Sequence, residues 1–82
     1  MNRQPAVAGR FYEGSPDLLK KEVGAFIEEG LKKERAIGIV SPHAGYVYSG
    51  RVAGAVYSRI IIPKTIILMG PNHTGIGSAV SV

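Results

Sequence analysis

The stretch "AIGIVSPHAGYVYSGRVAGAVYSRIIIPKTIILM", residues 36–69, decides the fold. It opens and closes on short apolar runs, 36–40 and 65–69, rich in isoleucine and valine. Neither run alternates polar with apolar residues. That pattern belongs to strands buried on both faces, as in a parallel sheet covered by helices. Between them, residues 49–60 repeat apolar side chains at helical spacing through Val52, Ala55, Val56 and Ile60. Ser49 is positioned as an N-cap, and Pro63 stops the periodicity. Ala53, Gly54 and Ala55 are small enough to let this helix lie close to a sheet. Strand, helix and strand make a βαβ unit, whose crossover is expected to be right-handed.

Upstream, "SPDLLKKEVGAFIEEGLKKE", residues 15–34, reads as a further helix. Ser15 is a good N-cap, Pro16 suits the first helical position, and Asp17 favours the positive end of the helix dipole. Leu19, Val23, Phe26 and Ile27 share one face, with Leu31 just beyond. Residues 1–14 are an irregular leading segment punctuated by Pro5, Gly9 and Gly14. Residues 78–82, "SAVSV", look like the opening of another strand. The expected class is therefore α/β: a helix followed by a right-handed βαβ unit of a mainly parallel sheet. Two or three strands with two helices cannot cover both sheet faces well. Residues 1–82 are accordingly expected to be part of a larger three-layer α/β domain.

Composition narrows the class. The chain has 82 residues, 45% hydrophobic and 20% charged, and so belongs with folding rather than disordered sequences. Without cysteine it can form neither a disulfide nor a thiolate metal site. No secretory leader pattern is visible at the start, and the apolar runs are far too short to span a membrane. A cytoplasmic location is expected. The net charge is +4, but Lys and Arg are scattered among glutamates rather than gathered into a stripe with aromatics between. Neither a nucleic acid nor a membrane is therefore expected as partner.

Chemistry gathers where the two apolar runs end. Parallel α/β sheets bind ligands outside the carboxyl ends of their strands. His43 follows the first run in "SPHAGYVYSG" and His73 follows the second in "GPNHTGIG". Each has a proline just upstream, Pro42 or Pro71, and a glycine two residues downstream, Gly45 or Gly75. Neighbouring strands lie about 4.8 Å apart, so the two imidazoles would converge on one small volume. Two such groups can ligate a transition metal or act as an acid–base pair. A stable metal site wants three or more protein ligands, and no carboxylate stands at a strand end. Tyr46 and Tyr48 either line a pocket beside His43 or pack the following helix. "GPNHTGIG" lacks the lysine of a phosphate-binding P-loop, and "GIGSAV" does not open a helix as a dinucleotide fingerprint would.

Three motifs, "PAVAGRFY", "PHAGYVYSG" and "ILMGPNHTG", together resemble the Memo-like family, whose microbial members are often labelled AmmeMemoRadiSam system protein B. The resemblance runs along the whole chain and matches the N-terminal part of the family. It implies a fold similar to class III extradiol dioxygenases, with a non-haem metal at the strand ends. It also implies that His43 and His73 are two metal ligands. Phe11, Tyr46 and Asn72 would line the ligand pocket. The implied cofactor is a divalent transition metal, iron first, with copper or zinc as alternatives. The third family ligand is a cysteine that this chain lacks, so the site is expected to be incomplete and the 82-residue chain inactive by itself. Redox or dioxygenase-like chemistry is implied for the family. The alternative is a non-catalytic module that binds a peptide or small molecule in the same pocket. Animal relatives recognise phosphotyrosine peptides, but their second corner carries two adjacent histidines where Thr74 follows His73 here.

Overall fold

The computed structural model describes residues 2–80 and contains two helices, α1 (Pro16–Phe26) and α2 (Tyr46–Tyr57). Helix α1 starts where Ser15, Pro16 and Asp17 place it, with Ser15 at the N-cap and Asp17 in the first turn. It stops well short of residue 34. Ile27 is already extended, and its N–H closes the last turn on the Val23 carbonyl. Distant groups take over the chain from there. The Glu28 N–H donates to Ser58 Oγ at 2.8 Å, and the Ser58 hydroxyl in turn donates to the Gly54 carbonyl. Lys33 Nζ donates to the Ser58 carbonyl at 3.0 Å, and Arg59 pairs with Glu28 at 2.7 Å. Ser58 is buried, so its hydroxyl ties the two helix ends together away from solvent. Both members of the ion pair are about half exposed, and such a pair contributes little.

Helix α2 begins three residues before Ser49. Its N-cap is Gly45, and Tyr46 and Tyr48 lie inside its first turn. The start is fixed from outside, because the Tyr46 N–H donates to the Phe11 carbonyl at 2.7 Å. Ser49 is therefore not the cap. It is a buried residue of the helix interior, and its hydroxyl turns back to the Ala44 carbonyl at 2.8 Å. The helix also ends before residue 60, at Tyr57. Residues 59–61 turn to pair with Glu34: Glu34 N–H donates to the Arg59 carbonyl, and Ile61 N–H to the Glu34 carbonyl.

The small face of α2 meets α1. A Cβ built on Gly50 would collide with the Phe26 ring, with Cζ at 2.7 Å. One built on Gly54 would collide with the Phe26 backbone, its carbonyl carbon at 2.7 Å. Phe26 thus seats in a notch that only paired glycines, one helical turn apart, leave open. Gly24 is different, because a Cβ there would meet nothing within 4 Å. Glycine inside a helix costs roughly 0.5–1 kcal/mol relative to alanine. Gly24→Ala is therefore expected to stabilise the chain by about 0.5 kcal/mol. Thermal denaturation followed by circular dichroism would register this as a higher midpoint. A lower midpoint would show that α1 packs differently around Gly24.

Runs 36–40 and 65–69 form no ladder among the described residues. A single parallel bridge, Glu34 to Ile60, stands just ahead of them. Both runs face solvent, with Val40 at 93% and Ile67 at 86% exposure. No hydrophobic side chain is buried among the described residues. The radius of gyration is 14.5 Å, against about 12 Å for a typical domain of this length. Two paired strands are marginal in water without a third strand or a covering helix. Residues 78–80 are exposed and show no strand, and Ser81 and Val82 lie outside the described residues.

Candidate metal and ligand site

Each histidine sits on a corner that local hydrogen bonds hold. The first corner precedes α2. Ser49 Oγ donates to the Ala44 carbonyl at 2.8 Å and also approaches the Gly45 carbonyl at 3.4 Å. Together with the Tyr46–Phe11 backbone bond, this fixes the turn that follows His43. The second corner is built around Asn72. Its Oδ1 accepts from the Thr74 N–H, the Thr74 hydroxyl and the Gly75 N–H at 3.0–3.2 Å. Its Nδ2 donates to the Ile76 carbonyl at 2.9 Å. Gly75 and Gly77 have φ of 70° and 91°, a left-handed conformation that glycine adopts without strain.

The two corners bring the rings of His43 and His73 together. Their ring centroids are 5.2 Å apart and their planes are inclined by 35°. Both residues are exposed to solvent. No set of three histidine, cysteine, aspartate or glutamate side chains comes together among the described residues.

Beside the first corner lies an open groove of about 560 Å³, lined by Arg10, Phe11, Ala44, Gly45, Val47 and Tyr48. Phe11 is thus in the groove, and the Arg10 guanidinium lies 5.9 Å from its ring centroid. Phe11 is carried on a tight turn in which the Gly9 N–H donates to the Tyr12 carbonyl at 2.7 Å. Tyr46 is placed otherwise. Its ring packs on Tyr12, with centroids 5.4 Å apart, and does not line the groove. Asn72 is not among the groove residues, and its amide is committed to its own loop. Sequence reasoning does not single out Arg10, nor Ser49 as a support for the first corner. Arg10 is adjacent to Phe11, which is the one available pointer. Nothing local to Ser49 distinguishes a cap from a back-bonding serine.

Two histidine corners flanking a helix, with an aromatic leading turn docked on that helix, define the site. The Memo-like protein family matches this chain over residues 3–82. The chain belongs to that family. It is 59% identical to a MEMO1 family protein of Methanosarcina barkeri, over 98% of this chain and 31% of the relative. It is 51% identical to one of Methanosarcina acetivorans and 47% identical to one of Aquifex aeolicus, in each case over 98% of this chain and 30% of the relative. The chain therefore spans a little under a third of the length of the curated relatives it matches. No solved structure matches it. No helix among the described residues is long and apolar enough to cross a membrane.

Proposed function

We propose that this chain supplies two imidazole ligands, His43 and His73, to the metal centre of a Memo-like protein. The observation that carries the proposal is the 5.2 Å separation of the two rings. Imidazole nitrogens bind zinc at about 2.0–2.1 Å, so two rings on one tetrahedral ion have centres about 5 Å apart. The 5.2 Å spacing of the pair supports a single shared ion. Aromatic rings that merely pack can adopt the same spacing. Here both imidazoles are exposed, and burial gives them no reason to pair. The ion would be a divalent transition metal, iron first, with copper or zinc also suited to imidazole. Its remaining protein ligand would come from outside these residues. When bound, iron would supply redox or oxygenase-like chemistry.

In the same proposal, runs 36–40 and 65–69 are strands of a mainly parallel α/β sheet, joined by α2 as a right-handed crossover. The Glu34–Ile60 bridge supports this, since it is parallel and lies two residues ahead of the first run and five ahead of the second. Phe11 and Tyr48 would face the substrate, and Asn72 would hold the His73 corner in shape.

The groove of Arg10, Phe11 and Tyr48 supports a second reading, a non-catalytic module that binds a small molecule or peptide. Paramagnetic titration tests the metal proposal. Adding Co(II) or Cu(II) to the 82-residue chain should broaden the His43 and His73 ring resonances together, at one metal ratio. Broadening at unrelated metal concentrations would refute a shared ion. The two readings are separated by oxygen uptake of the metal-loaded, full-length Methanosarcina barkeri relative over a catechol panel. Uptake favours the oxygenase, and its absence favours the binding module.

A further inference from the structure

We infer that Ser49 is a positioning residue for the histidine pair: its buried hydroxyl, bonded to the Ala44 and Gly45 carbonyls, sets the direction of His43 toward His73. The inference rests on the proposed role of the two imidazoles but concerns their placement alone. Ser49 is 7% exposed and lies in the first turns of α2. A serine there ordinarily competes with the helix ladder and slightly destabilises it. Its hydroxyl reaches out of the helix to the carbonyl five residues back, at 2.8 Å, and shares the carbonyl four residues back, at 3.4 Å. Those carbonyls belong to Ala44 and Gly45, the two residues directly after His43. Gly45 is the joint between corner and helix, and without a side chain its backbone has unusual freedom. The corner also lacks a side-chain cap, since α2 starts on this glycine. Ser49 therefore does for the His43 corner what Asn72 does for the His73 corner: a polar side chain grips the backbone beside the imidazole.

Removing the hydroxyl frees the Ala44–Gly45 peptide to rotate while leaving the ladder of α2 intact. The ring of His43 then samples directions away from His73.

The test needs no metal. In the 82-residue chain, protons of the His43 and His73 rings should show a nuclear Overhauser cross-peak, and so should those of the Tyr12 and Tyr46 rings. Ser49→Thr and Ser49→Val have the same shape and differ only in the hydroxyl, which threonine can turn to the same carbonyls. The threonine variant is expected to keep the His43–His73 cross-peak. The valine variant and Ser49→Ala are expected to weaken it at least about threefold, while the Tyr12–Tyr46 cross-peak and the α2 amide shifts persist. Three results overturn the inference. One is a His43–His73 cross-peak as strong in the valine variant as in the threonine variant. Another is a cross-peak that disappears only when α2 unfolds, which would make the hydroxyl purely structural. The third is no such cross-peak in the unsubstituted chain, which would remove the geometry itself. Preserved cross-peaks with no response to Co(II) would instead sink the metal proposal and leave the role of Ser49 standing.

Discussion

In the full-length protein, replacing His43 or His73 by alanine should weaken divalent transition-metal binding by at least about a hundredfold. Outer groups that only orient a ligand already cost 10–100-fold when removed, and loss of a ligand itself costs more. The two rings stand 5.2 Å apart, within reach of one ion. The double variant should consequently be little worse than either single one, because one shared ion is lost only once. Competition titration against a chromophoric chelator measures this directly. Additive losses from the two substitutions would mean two separate weak sites. Unchanged affinity in both would remove the metal proposal. Folding is a minor concern at these positions, since both side chains are exposed.

The largest effect on stability is expected at Gly54. A methyl there would press on the Phe26 backbone, with the carbonyl carbon at 2.7 Å and Cβ at 2.8 Å. Overpacking of this kind costs about 1–3 kcal/mol, only part of which better helix propensity returns. Gly54→Ala should therefore lose about 1–2 kcal/mol, and Gly54→Val more. In a chain with no buried hydrophobic side chain among its described residues, this can separate the helices altogether. Gly50 offers the control. There the obstacle is the Phe26 ring, which can rotate or be removed. Phe26→Ala should rescue Gly50→Ala but not Gly54→Ala, whose clash is with backbone and Cβ. Urea unfolding of the four variants decides the matter, and equal rescue at both positions would refute the packing described for Phe26.

How much of the fold and site is legible in the sequence depends on distance along the chain. The start of α1 is written locally in Ser15, Pro16 and Asp17, and the helix begins there. Its end is set by Ser58 and Arg59, some thirty residues away, and no periodicity within residues 15–34 carries that information. The start of α2 escapes a local reading for the same reason, since the Phe11 carbonyl recruits Tyr46 into the first turn. The small residues of α2 do signal close approach. The partner is Phe26, because the apolar runs that would build a sheet are unpaired among the described residues. In the site, the repeated pattern of proline, histidine and glycine singles out His43 and His73 without any structure. The groove around Arg10 arises only when the leading turn folds over α2, which joins segments more than thirty residues apart. The grip of Ser49 is local and escapes notice because a serine there reads equally as a cap.

The hydrogen bonds that hold the two corners differ in reach. Those at His43 run to α2 and to the Phe11 turn, so this imidazole is mounted on the body of the molecule. Those at His73 close within residues 72–76, in an irregular and exposed segment. In the proposed site, the pair is thus a vice with one jaw braced by the fold and one braced only by its own loop. An ion bound there would take its orientation from His43, and the entropy of ordering the pair would fall on the segment that carries His73.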